Sequence, residues 1–382
     1  MMNVPEPTDP VLRLAMARDP LLTQLWAEFC AYHAAQGHDP NHPPPYARSF
    51  LSFASHRVDP HIEDAGRQQY VGWKSAAQGE LSIRAEERRS VAERVTQWWG
   101  EPLDLLDQLL SVAEEFGMVH VHRLSAAPDR FPQTYPLLID LHSRGVQVAE
   151  ETLALLRCGF AAGAEARWRT LHETTVVAAF IAKHGAETVD RYAEHDHVRV
   201  KKAMESEQEH HLELGLEPYT EEEMQEARAK VAELKRKYGS SFLGDYGWAA
   251  GALGLKPDAK PPTFLDIEAS LNLRVFRAAY RSASQAVHAG PGALIDNPGK
   301  PEDATPMFLT RGTEFGLVEP GVRTAGSIAL LARALMEWRP FPFDRIALAA
   351  MGHMVAEVGA RFAECERRLA QEVARHQSVG AT

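Results

Sequence analysis

The sequence predicts an all-α protein, a multi-helix bundle with a charged helical arm. Three observations lead there. No run of alternating apolar and polar residues is long enough to require a sheet. Long stretches instead repeat their apolar residues at three- and four-residue intervals, the period of a helix with one packed face. These stretches stop at Gly or Pro, which cap or break helices, and no unit of fixed length recurs.

The first helix is expected over residues 21–36. Residues 38–47, HDPNHPPPYA, cannot extend it, because four prolines remove donors and fix the backbone. Helices are predicted over 85–99 and 103–116, with stops at Gly100 and Gly117. His120 and His122 follow, and with no third ligand nearby they read as surface histidines rather than a metal site. Residues 145–185 read as one long helical region, in which Gly159, Ala161, Ala162, Gly163 and Ala164 allow a close helix crossing. Within it Glu165, Arg169 and Glu173 are spaced i, i+4, i+8, which puts a guanidinium between two carboxylates. Charges in so apolar a helix persist when paired, so the trio is either a structural ion-pair cluster or part of a site.

Charge density rises over 189–239, where Thr220 and Glu223 form a capping-box pattern and Gly239 ends the run. A partly solvated helical hairpin is expected, and it accounts for His195, His197, His210 and His211 more simply than a metal-dependent phosphohydrolase does. Residues 240–262 mix Phe242, Tyr246 and Trp248 with Gly and Pro and read as a connection. A helix over 266–289 then places Asp266, Ser270, Arg274, Arg277, Arg281, Ser284 and His288 on one stripe. Leu271, Val275, Ala279, Ala283 and Ala286 fall opposite. Gly290-Pro291-Gly292 should end that helix, leaving His288 in the last turn, where the dipole favours its protonated form. Residues 290–320 read as loop, and helices over 322–338 and 343–371 close the chain. The organisation expected is an N-terminal helical region (1–140), a core (141–300) bearing the arm, and C-terminal helices (301–382) packed on that core.

Composition narrows the function. The chain has 382 residues, 45% of them hydrophobic, enough for a sizeable core. A net charge of -11 argues against a broad duplex-DNA surface, which needs clustered Lys and Arg. Cys30, Cys158 and Cys365 are odd in number and far apart, so reduced, buried thiols are expected rather than a disulfide framework or a thiolate zinc site. The N-terminal stretch lacks the basic start and apolar core of a signal peptide, and Arg333 and His353 interrupt the most apolar windows. The reading is a cytoplasmic protein with no membrane span.

Two patterns carry a resemblance. Arg169, Leu171 and Glu173 form Arg-x-Leu-x-Glu, and about a hundred residues later Tyr280, Ser284, Val287 and His288 form Tyr-x3-Ser-x2-Val-His. Over residues 145–300 the chain resembles a bacterial helical family catalogued as a domain of unknown function. It also resembles HEPN-type helical ribonucleases, whose signature is an Arg followed after four to six residues by a His. Arg281 and His288 fit at the longest spacing, and Ser282 stands where that group typically has a residue such as Asn. This likeness implies a metal-independent endoribonuclease with Arg281 and His288 catalytic, Arg277, Tyr280 and Ser284 supporting, and RNA as substrate. It further implies a homodimer and no cofactor. Against an RNA footprint, residues 266–300 balance Arg274, Arg277, Arg281 and Lys300 with Asp266, Glu268 and Asp296. The alternative is a non-catalytic helical sensor or adaptor, in a bacterial stress or phage-response setting, whose Arg and His are structural.

Overall fold

Every regular element among the described residues is a helix, as the periodicity predicts. The computed structural model describes residues 6–7, 10–17, 20–37, 50, 53–54, 62–288, 297–300, 309–336 and 341–380. The Pro-rich segment 38–47 and Gly290-Pro291-Gly292 lie outside them. The chain separates into two units, Met1–Glu86 and Glu87–Thr382. In the first, α1 (Pro10–Met16) and α2 (Pro20–Ala35) accompany a small core of Leu25, Trp26, Phe29, Cys30, Phe50 and Ala54. Phe50 meets Trp26 and Phe29 edge-on, with centroids 5.2 and 5.5 Å away.

Helix α3 (Ile62–Ala126) runs from the first unit into the second. It corrects the expected stops: Gly100, Pro102 and Gly117 all lie inside one helix. Val91, Val95, Trp99, Leu103, Leu106, Leu110 and Ala113 form an unbroken buried stripe across the first two, and this packing outweighs the local breakers. The same helix buries His120, contrary to its reading as a surface residue; only 2% of it is exposed, and its Nδ1 lies 2.6 Å from the Tyr135 hydroxyl. Burial pushes the His120 imidazole down to about 4.

The expected single helix over 145–185 is two helices, α4 (Thr134–Arg157) and α5 (Ala161–His184). Gly159, with φ 76°, breaks them apart. Its carbonyl accepts the Thr313 amide at 2.9 Å, and a Cβ there would stand 2.5 Å from the Thr313 carbonyl oxygen. The close approach that the small residues anticipated is therefore backbone against backbone. The division expected after residue 140 falls inside α4, and the unit boundary lies within α3.

Helix α5 is central. It packs against α4, against α10 (Val318–Met336) and against α9 (Arg277–Val287), and it buries Trp168, Leu171, Val176, Phe180 and Ile181 completely. Each such side chain contributes about 1.5–3 kcal/mol relative to exposure. Helices α6 (Ala186–Leu214) and α7 (Glu221–Tyr238) form the predicted charged hairpin. Its capping box is present: Thr220 Oγ1 accepts the Glu223 amide at 3.2 Å and Glu223 accepts the Thr220 amide at 2.8 Å. His195 is buried beside Gly244, whose carbonyl lies 2.7 Å from Nε2.

The helix expected over 266–289 is also divided. Helix α8 (Phe264–Ser270) ends at Asn272, which takes a left-handed φ of 60° while the Leu273 amide bonds back to the Glu268 carbonyl at 2.9 Å. Asn tolerates that conformation better than most residues, so it closes the helix as Gly commonly does. A short 3-10 turn, Arg274–Phe276, leads into α9. The predicted stripe does not survive the break. Asp266 starts α8 by accepting the Thr263 amide at 2.7 Å, and Val275, expected inside, is 79% exposed. His288 is the residue capping α9, in extended conformation, rather than part of its last turn.

Helix α11 (Pro342–Gly380) lays Met351, Val358, Phe362, Cys365 and Leu369 into the core. By length and composition alone α11 is apolar enough to cross a membrane, with His353 inside it. Cys30 and Cys365 are buried free thiols, but Cys158, at the α4 terminus, is exposed.

Gly159→Ala should destabilise the fold by about 2–4 kcal/mol in urea unfolding, through left-handed strain and the clash with Thr313. Gly326, helical and with open space where a Cβ would stand, is the control. Gly326→Ala should stabilise by about 0.5–1 kcal/mol. Equal effects would contradict the assigned role of Gly159.

Candidate functional site

Helices α5, α8 and α9 converge on a polar network at the centre of the second unit. Arg169 on α5 reaches three partners with one guanidinium. Its Nε donates to Ser284 Oγ at 3.0 Å, and its Nη2 donates to Tyr280 Oη at 2.7 Å while lying 3.1 Å from Glu173 Oε1. The Tyr280 hydroxyl donates onward to Glu173, and Ser284 donates to the Tyr280 carbonyl at 2.7 Å. Arg169 and Glu173 stand one turn apart on α5, and Tyr280 and Ser284 one turn apart on α9. Each helix thus presents two consecutive rungs of one face. Burial, reinforced by Glu173, pushes the Tyr280 phenol upward, so it remains a donor across the physiological range.

Beneath this lies a second set. His172 and Glu268 are 2% and 0% exposed, and His172 Nε2 stands 3.0 Å from Glu268 Oε1. Glu268 also pairs with Arg277, whose Nη1 is 3.1 Å from Oε2. Burial holds the His172 imidazole below its usual range; the bond to Glu268 opposes that shift but is the smaller effect. The neutral ring therefore donates from Nε2, because a carboxylate only accepts. His172 is enclosed by aromatic rings, stacked on Trp168 at 5.3 Å and flanked by Phe264, Phe276 and Tyr280.

The predicted trio is only partly together. Arg169 and Glu173 pair, but Glu165 turns away to α10, where Arg323 Nη1 meets its Oε1 at 2.6 Å. Residues four apart share a face only approximately, and a cation from another helix supplies the closer partner. Burial pushes the Glu165 carboxyl upward despite Arg323. Of the other expected site residues, Arg277, Tyr280 and Ser284 belong to the network. Arg281 and His288 do not; both are exposed, and among the described residues neither side chain makes a hydrogen bond or ion pair.

Glu173 also opens onto a cleft of about 530 Å³ between α5, α6 and the 240–250 connection. Tyr192, Asp196, Arg199, Asp245 and Tyr246 line it. Burial, then the Glu173 charge, pushes the Tyr246 phenol up to about 12. Among the described residues no group of three or more His, Cys, Asp or Glu is placed to hold a metal ion. Sequence reasoning missed His172, Glu268 and Arg323. The visible signal for the first is that His172 follows Arg169 by three residues, one turn along the same face. Glu268 could have been flagged as a charge one turn from Phe264 and Leu265 and next to Ile267.

Fold and site together define an all-α protein in which Arg169 and Glu173 of one motif meet Tyr280 and Ser284 of the other in a half-buried network between two helices. Residues 135–304, which carry both motifs, match the sequence model of a family of unknown function (DUF5677). No curated protein and no solved structure matches the chain.

The His172 titration has a definite sign. Its folded pKa is depressed, so the stability it contributes is fully present above about pH 6.5 and is lost as pH falls toward and through the lower folded value. His172→Gln keeps a donor to Glu268 but cannot titrate. In denaturant unfolding followed with pH, the advantage of the native protein over His172→Gln should shrink below about pH 6.5. An advantage independent of pH would contradict a neutral, buried His172.

Proposed function

We propose that the outer face of α9 cleaves RNA as a metal-independent, HEPN-like endoribonuclease working as a homodimer in the cytoplasm. One observation supports the reading above others. Arg169, Glu173, Arg277, Tyr280 and Ser284 are engaged with one another or with Glu268, whereas Arg281 and His288 are exposed and unengaged among the described residues. The engaged residues are positioning residues that hold α9 on α5. The unengaged pair is free to meet a phosphodiester.

In this reading His288 takes the proton from the ribose 2′-hydroxyl, whose oxygen attacks phosphorus. The P–O5′ bond breaks, the leaving oxygen takes a proton, and the products are a 2′,3′-cyclic phosphate and a 5′-hydroxyl. Arg281 offsets the charge that builds on the phosphorane oxygens, where a cation lowers the barrier most. One Arg–His pair per chain fits a symmetric dimer that brings two pairs into one cleft.

A second reading, a non-catalytic binding module, is favoured by a different observation. Arg281 and His288 are exposed, and neither lines the clefts at Glu173, at His142 or at Phe276.

Incubation of the protein with mixed RNA in EDTA separates the two. Cleavage with cyclic phosphate ends is expected. His288→Ala should abolish it while shifting stability by less than about 0.5 kcal/mol, as for other exposed positions. Arg281→Ala should lose turnover more than binding. Intact RNA, or activity that survives His288→Ala, would leave the binding module as the reading to pursue.

A further inference from the structure

A cleft of about 570 Å³ lies between α3 and α4 and is lined by none of the motif-network residues. Met118 and Val121 on α3 and Ile139 and Val146 on α4 give it apolar walls, with the exposed Ser143 and Gln147 at its rim. Two carboxylates face it, Glu114 from α3 and Glu150 from α4, and no Lys or Arg lines it. Among the described residues neither carboxylate has a hydrogen bond or ion pair. The crowding is felt: burial first, then Asp107 and Glu114, pushes the Glu150 carboxyl upward, with Arg157 only partly opposing.

His142 lines the same cleft and is 2% exposed. Its Nε2 stands 2.8 Å from the Ala113 carbonyl oxygen, which can only accept, so Nε2 carries the proton and Nδ1 is a bare acceptor. That Nδ1 is buried and has no partner. The site is built around the ring. A Cβ on Gly117 would lie 2.8 Å from His142 Cδ2, so only glycine lets the imidazole rest against α3 there.

The charged and buried polar groups of the cleft are thus all acceptors, two of them negative and unpaired, set in apolar walls. We infer that this cleft binds an organic cation, an ammonium group on an alkyl body. The ammonium lies between Glu114 and Glu150, and the chain lies along Met118, Ile139 and Val146. A neutral alcohol would fill the walls but leave the like charges unrelieved. A metal ion is disfavoured because no group of three or more ligating side chains gathers here or elsewhere among the described residues.

Hexylamine is the probe, titrated into the full chain by calorimetry and by thermal unfolding at about 0.15 M ionic strength, where long-range attraction to net charge is screened. Saturable binding at one site per chain and a raised melting temperature are expected. n-Hexanol and magnesium chloride should produce neither. Glu114→Gln combined with Glu150→Gln, both exposed positions, should fold normally and weaken hexylamine binding by about tenfold or more. Glu222→Gln on the arm should leave binding unchanged. The inference is overturned if hexanol binds as well as the amine, if magnesium binds in its place, if the double variant binds undiminished, or if no saturable binding occurs.

Discussion

The hydrogen bond between Tyr280 and Glu173 is the contact on which the arrangement of the second unit's centre depends. It links α9 to α5, and Arg169 braces it from the side by donating to the same Tyr280 oxygen and pairing with the same carboxylate. Helix α9 is only 11 residues long and buries just Tyr280 and Ala283. So little apolar area cannot hold a short helix in one orientation. Polar contacts must do it, and they are satisfied: the guanidinium, phenol, hydroxyl and carboxylate answer one another in a setting where an unanswered group would cost several kcal/mol. The His172–Glu268–Arg277 set ties the start of α9 to both α5 and α8, although Arg277 Nε is left without a partner.

Much of this was legible in the residues, and the failures have identifiable causes. Helical class, the charged hairpin and its capping box follow from periodicity and local chemistry, which act within one or two turns. The joint importance of Arg169, Glu173, Tyr280 and Ser284 was also visible as two spaced patterns, although not that they touch. What failed was tertiary. A buried stripe carries α3 through Gly100 and Pro102, which local rules treat as stops. Conversely, Gly159 and Asn272 break helices that periodicity would continue, because Thr313 needs access to the backbone at one and Glu268 closes the turn at the other. Glu165 was assigned to Arg169 because spacing on one helix cannot reveal a closer cation on another.

The division between engaged and unengaged motif residues links structure to function. A network that consumes five polar side chains to fix one short helix is a large investment for a helix that buries so little. It makes sense if the exposed surface beside the network must be held at a defined angle. Arg281, on the solvent side of α9, and His288, which caps it, are what that surface offers. The account therefore requires α9 to be positioned chiefly by polar contacts, with Tyr280 and Glu173 acting as a unit.

A double-mutant cycle tests this most directly. Tyr280→Phe removes only the hydroxyl and Glu173→Gln only the charge, and unfolding free energies of both singles and the double give the coupling. The account predicts a favourable interaction of about 1–3 kcal/mol, the range for residues in one hydrogen-bonded network. Additive effects within about 0.5 kcal/mol would mean that the two side chains merely adjoin and that α9 is held by something else.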